Sequence, residues 1–120
     1  MAKSATMTKS LGGYFTEWCS RKPELPVLVY VEDGNLQYRS YKELYADVLA
    51  WSKFFQDRKI GKGERIAFIA PKCLEHFNFF YACWYLGIIA VPVCETLGDL
   101  EMGFILRDSD PALVIVEKAW

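Results

Sequence analysis

The chain has little with which to do chemistry. One histidine stands among 120 residues, and the four cysteines, Cys19, Cys73, Cys83 and Cys94, form no CxxC pair. A single imidazole with scattered thiols excludes the usual ligand set of a structural zinc site. Charge of one sign is also lacking: 14 Lys and Arg against 15 Asp and Glu leave a net charge of -1. No basic stripe exceeds Arg58-Lys59 with Lys62 nearby, which argues against nucleic acid as a partner. No apolar run reaches the ~18 residues of a transmembrane helix. The longest, Phe79 to Cys94, has 16 residues and is broken by Gly87 and Pro92. Residues 1–10 lack the apolar stretch of a secretory signal. The cysteines therefore read as reduced and mostly buried, in a cytosolic protein. Neither GxGxxG nor GxxxxGK[ST] occurs, and Gly61-Lys62-Gly63 precedes a strand where a phosphate loop must precede a helix.

What the chain does hold in quantity is core material. Hydrophobic residues make up 52 % and aromatic residues 16 %. With glycine counted and tyrosine left out, the apolar share is about 53 %, against roughly 45–50 % in ordinary soluble domains. A chain of this length forms one domain, with little interior in which to hide a surplus.

The pattern of that material orders the elements. Tyr14, Phe15, Trp18 and Cys19 predict a short amphipathic helix over Leu11 to Ser20, after a disordered tail at residues 1–10. Val27 to Val31 and Leu36 to Arg39 read as strands, joined through Asp33-Gly34 as a hairpin. Ser40-Tyr41-Lys42-Glu43 fits a capping box and opens a helix. Its apolar period runs from Tyr41 to Phe55, with Arg58-Lys59 at the negative end and Gly61 as its cap. Arg65 to Ala70 is a strand, and Leu74 to Leu86 a helix apolar almost all round, ended by Gly87. Ile88 to Val93 is a strand, Asp99 to Arg107 a helix with Leu100, Phe104 and Ile105 on one side, and Leu113 to Val116 the last strand. From residue 65 the order is β-α-β-α-β. That predicts an α/β fold: a parallel sheet with right-handed crossovers, preceded by a helix and a hairpin. The strands are continuously apolar, as in a sheet covered on both faces.

Candidate chemistry is thin. Cys73 and His76 fall on one helix face, without a third group to orient the imidazole. Glu43 and Asp47, one helical turn apart, read as a solvated face. Ligands of open parallel sheets sit outside the carboxyl ends of the strands. Here those ends carry Pro71-Lys72 and Cys94-Glu95-Thr96, which are not a self-sufficient catalytic set.

Leu36 to Leu44, Ile60 to Ala67, Ala82 to Val93 and Phe104 to Ser109, four stretches in this order, together resemble the N-terminal segment of the adenylate-forming enzymes: acyl-CoA synthetases, luciferases and the adenylation domains of peptide synthetases. Leu36 to Leu44 (LQYRSYKEL) is similar to the family's first core motif, L-[TS]-Y-x-E-L. Ile60 to Ala67 (IGKGERIA) resembles the family's G(V/I)KxGDRVA stretch, and Ala82 to Val93 (ACWYLGIIAVPV) its LKAGA-x-x-VP motif. Phe104 to Ser109 (FILRDS) resembles the YILxDS helix end. Pro92 to Thr96 looks like the P-x-Y-x-T version found in long-chain fatty acyl-CoA synthetases, with Cys94 in place of tyrosine.

The resemblance, over residues 11–120, implies part of an adenylation domain. It implies a parent enzyme that uses ATP and Mg²⁺ to turn a carboxylate, a fatty acid by the subfamily motif, into an acyl-adenylate and then a CoA thioester. The family's phosphate loop, its glutamate and ribose-aspartate motifs and its C-terminal lysine have no counterpart here, so no catalytic, cofactor-binding or metal-binding residue carries over. The implied partner is the remainder of its own polypeptide. The implied setting is cytoplasmic, with peripheral membrane association and a homodimer left open. Two other readings stand beside it: a complete non-enzymatic α/β module that binds a partner through its aromatic surplus, and a small enzyme with Cys73 or Cys94 as nucleophile.

Overall fold

The computed structural model of the chain describes residues 9–117, so the expected tail lies outside the described residues except for Lys9 and Ser10. The elements are α1 (Leu11–Arg21), β1 (Pro26–Glu32), β2 (Asn35–Ser40), α2 (Tyr41–Asp57), β3 (Arg65–Ile69), α3 (Leu74–Leu86), β4 (Ile89–Val93), α4 (Asp99–Ser109) and β5 (Leu113–Val116). Strands β1 and β2 form an antiparallel hairpin, and the other three a parallel sheet in the order β4-β3-β5.

Local chemistry explains most of these boundaries. Asp33 and Gly34 both take positive φ, 49° and 77°, the pair of conformations that a two-residue turn needs to match the twist of its strands. Ser40 accepts a hydrogen bond from the Glu43 N–H at 3.2 Å, and the Glu43 carboxylate accepts one from the Ser40 N–H at 2.8 Å. The N–H groups of Tyr41 and Lys42 donate to the carbonyls of Leu25 and Pro23, so the proline-bounded loop after α1 satisfies more of the orphan donors of α2. Asp47 pairs with Arg39. Glu43 and Asp47 thus both have structural partners.

The end of α2 differs from the sequence expectation. Gly61 is not its cap. Helix α2 stops at Asp57, and Lys59 takes the left-handed conformation at φ 59°. The N–H of Lys59 reaches the Gln56 carbonyl at 2.9 Å and that of Ile60 reaches Phe55 at 3.1 Å. This is the paired closure of a Schellman motif, sealed by burial of Ile60 against the core that holds Phe55. Packing of Ile60 fixes the turn at Lys59, two residues before the glycine. Gly61 instead donates to Glu64 at 2.7 Å in the turn into β3. Helix α3 ends in the same way, with Gly87 left-handed at φ 72° and Ile88 bonded to Cys83 at 2.8 Å. The two corners touch: the Gly63 N–H donates to the Gly87 carbonyl at 2.9 Å.

The core has two unequal parts on the two faces of β3. Ile66 and Phe68 point into the larger one, with Phe15 of α1, Leu44, Val48 and Phe55 of α2, and Phe79 and Cys83 of α3. Ala67 and Ile69 point into the smaller one, with Val93 and with Met102, Ile105 and Leu106 of α4. The apolar side of α4 is therefore not the one its sequence suggested. Ile105 packs, but Leu100 and Phe104 stand 87 % and 64 % exposed. The helix carries two apolar stripes, and the sheet takes the one through Met102. Helix α3 buries Asn78, Phe79, Ala82 and Cys83, while Phe77 and Tyr85 stay exposed.

Helices α1 and α3 meet at backbone distance. A Cβ on Gly12 would lie 2.4 Å from the Trp84 carbonyl oxygen, whereas one on Gly13 would come no nearer than 3.4 Å, to the Ser10 hydroxyl, with Lys9 Cβ at 3.6 Å. Gly12→Ala should therefore destabilise the chain by about 2–3 kcal/mol through overpacking. Gly13→Ala should leave it unchanged or gain up to about 1 kcal/mol of helix propensity. Urea denaturation of both variants checks the sign of each, and equal effects would show that the helices do not approach there.

Candidate functional site

At the carboxyl end of β3 the chain passes through Ala70-Pro71-Lys72 and enters α3 at Cys73. Cys73 has the extended backbone of an N-cap but makes no side-chain cap bond. Its Sγ lies 3.7 Å from Nδ1 of His76, one turn along. The structure thus brings together the one thiol–imidazole pair that the spacing suggested, and its environment is wrong for a nucleophile. Burial pushes the Cys73 thiol above its ordinary value, and Glu75 adds to the rise. These outweigh the lowering by the backbone N–H groups of His76 and Glu75. The His76 ring meets the edge of Phe68 at 4.6 Å and stacks along Phe80 at 6.3 Å. No carboxylate hydrogen-bonds it among the described residues. A thiol nucleophile needs the opposite shift and an oriented base. His76 works here as an aromatic packing group.

At the end of β4, Cys94 is exposed and its Sγ lies 3.0 Å from the Thr96 hydroxyl. Helix α4 begins behind it, with the Gly98 N–H donating to Glu101 at 3.1 Å. Acidic residues stand in the first turns of α2 (Glu43), α3 (Glu75) and α4 (Asp99 and Glu101), where a phosphate would need bare N–H groups. The described residues contain no cluster of three His, Cys, Asp or Glu for a metal. These residues do not fit ATP or Mg²⁺.

An open cleft of about 560 Å³ runs between β1 and the start of α3, with walls that include Tyr30, Lys72, His76, Phe77 and Pro92. Its strand wall was not expected from the sequence, although a signal was present. Pro26 to Val31 (PVLVYV) is apolar at every position, so both faces of the hairpin call for cover. One face has none: Val29 pairs with Tyr38 and Val31 with Leu36, and all four lie exposed, Val31 at 67 %. No helix of the described residues is long and apolar enough to cross a membrane. This face of the hairpin is a continuous exposed apolar surface.

The model of the AMP-binding enzyme family matches residues 15–120. The chain belongs to the AMP-binding enzyme family. It is 31 % identical over 86 residues to the mitochondrial malonate–CoA ligase ACSF3 of Xenopus laevis, covering 68 % of this chain and 15 % of that protein. It is 30 % identical over 107 residues to the long-chain-fatty-acid–CoA ligase FadD13 of Mycobacterium tuberculosis, covering 89 % of this chain and 21 % of that protein. Among solved structures, the N-terminal subdomain of Klebsiella oxytoca NpsA superposes with a TM-score of 0.81 at 21 % identity, over 93 % of this chain and 28 % of that one. The expected α/β architecture is that of this subdomain. The chain spans about a fifth of the length of the curated relatives it matches.

The cysteines lead to a pH prediction. Burial pushes Cys83 up to about 12 from 9.0, and raises Cys19 as well. A thiol raised by folding contributes stability that is fully present below pH 9 and lost as the pH climbs from 9 toward 12. At neutral pH, Cys83→Ala should lower the melting temperature by opening a small cavity. That deficit should shrink steadily above pH 9, and one that stays constant from pH 7 to 11 would refute the assignment.

Proposed function

We propose that residues 1–120 are the opening, scaffold part of an ATP-dependent, AMP-forming ligase. That ligase activates a carboxylic acid as its adenylate and passes the acyl group to the thiol of coenzyme A. The reading rests chiefly on the family match across residues 15–120, joined to 30 % identity with a fatty-acid ligase over 89 % of the chain. Fatty acids are the substrate class we favour. The Pro92-Val93-Cys94-Glu95-Thr96 stretch and the likeness to the Mycobacterium tuberculosis fatty acyl CoA synthetase, at 29 % identity and a TM-score of 0.78, support that choice. Other relatives carry names with other acids, 2-succinylbenzoate among them.

In this reading the segment supplies no reacting group. ATP brings the phosphoryl chemistry, and its residues come from other parts of the enzyme. What these residues contribute is a fixed sheet, two tight helix-to-strand corners and a wall of apolar side chains. The partner of that wall is the rest of the same polypeptide. A self-contained partner-binding module would also use the bare hairpin face. The mass of the natural gene product separates the two readings: near 14 kDa for the module, several times larger for the ligase.

The direct test is ATP–pyrophosphate exchange with a panel of fatty and aromatic carboxylates. The natural gene product should exchange with at least one acid of the panel, and best with a fatty acid. Residues 1–120 alone should show none. A gene product silent with every acid, or exchange by residues 1–120 alone, would overturn the proposal.

A further inference from the structure

Cys73 and His76 lack the chemistry of a nucleophile, but a thiol and an imidazole are also metal ligands. Cys73 stands at the N-cap of α3 with extended backbone, and its side chain makes no cap bond. Its sulfur is therefore free to turn along the helix, and it lies 3.7 Å from Nδ1 of His76. Burial keeps the proton on the thiol, so the S–H donates and Nδ1 accepts. The ring proton then sits on Nε2, and the lone pair of Nδ1 points at the sulfur. Two aromatic neighbours hold the ring in that orientation. Phe68 meets it edge-on with centroids 4.6 Å apart, and Phe80 stacks along it at 6.3 Å.

The spacing of the two atoms suits a metal ion between them. Bonds of roughly 2.3 Å to a thiolate and roughly 2.0 Å to an imidazole nitrogen are ordinary for such ligands. With those bonds the 3.7 Å span closes at an angle of about 120°, that of a three-coordinate ion. Both side chains line the open cleft of about 560 Å³, so an ion has a path in and its third position faces the cleft. Donor type and charge choose the ion. A thiolate with an imidazole is a soft set that suits copper(I) or zinc. Structural zinc takes four protein ligands, and among the described residues no group of even three His, Cys, Asp or Glu converges. Copper(I) on a thiolate is a neutral unit. A divalent ion would leave a positive charge in the cleft that Lys72 also lines.

We propose that Cys73 and His76 bind one copper(I) ion at the start of α3, through Sγ and Nδ1. The ion takes the place of the thiol proton, which leaves to solvent. Two bonds to copper form, the S–H bond breaks, and no electron is transferred. Neither ATP nor coenzyme A enters this step, so it stands apart from the proposed ligase activity.

The test presents copper(I), without oxygen and held by the chelator bicinchoninate, to the natural gene product. One equivalent should pass to the protein. X-ray absorption at the copper edge should then show sulfur and nitrogen neighbours together. Losing a group that merely supports a ligand costs roughly 10–100-fold in affinity. Losing a ligand itself, in Cys73→Ser or His76→Phe, should cost at least about 100-fold. Both variants keep the local structure: serine is a good N-cap, and phenylalanine leaves a ring beside Phe68 and Phe80. Melting temperatures without metal check that they fold, and the absorption spectrum of the unchanged protein decides alone if either does not. Cys94→Ser, at an exposed thiol, should still take up the single equivalent. Loss in Cys73→Ser with binding intact in His76→Phe would overturn the proposal, because it leaves a lone thiol. So would no transfer at all, loss in Cys94→Ser instead, or an edge spectrum with sulfur alone. Zinc(II) that displaces the copper at equal concentration would overturn the choice of ion.

Discussion

Strand β3 is the constraint on which the rest depends. Among the described residues it is the only strand paired on both sides, and its residues Ile66 to Ile69 are buried on both faces. Each of its side chains therefore commits a layer: Ile66 and Phe68 commit α2 and α3, and Ala67 and Ile69 commit α4. Its ends are fastened as firmly. Arg65 donates from its guanidinium to the Ser109 carbonyl and, at 3.3 Å, to that of Asp110, a cation at the negative end of α4. Shift this strand by one residue and the two cores exchange their side chains.

Where the sequence was legible, the information was local. The hairpin turn needed only that Asp33 and Gly34 tolerate positive φ, and the capping box needed only the three-residue spacing of Ser40 and Glu43. Both are decided within one turn of backbone. Where it misled, the decision was made elsewhere in the fold. The apolar stripe that α4 buries is chosen by the position of β4. The end of α2 is chosen by a pocket for Ile60, which made a lysine acceptable in a conformation that glycine usually fills. Gly12 gave no signal at all, because its reason is the Trp84 carbonyl, 72 residues along the chain. The candidate site was legible in the same partial way. Spacing placed Cys73 beside His76, but only the burial around the thiol shows that it holds its proton.

The family motifs acquire a physical content here. SYKEL is a helix N-terminus: Ser40 and Glu43 close the cap, and Leu44 is fully buried. Glycines of the second and third motifs are neighbours in space, since Gly63 bonds to Gly87 and the side chain of Lys62 lies across Gly87. Motifs far apart in the chain thus describe one corner, where α2 and α3 both hand over to the sheet. The shared corner gives these motifs a structural role that requires no chemistry of their own. The scaffold sets the geometry, and the chemistry belongs to what is mounted on it.

The bare edge of β5 also sets a timetable. Leu113 to Val116 is a short, uncharged, β-branched segment without proline, the composition that stacks readily on copies of itself. While it is unpaired, each newly made molecule presents that segment to every other. Synthesis proceeds at about 5–20 residues per second, so even a modest delay before the edge is covered leaves seconds of exposure. The edge of β4 carries Pro92, which has no N–H to give an incoming strand. Association through β5 is thus a question of timing, and conditions that slow synthesis or raise concentration favour it.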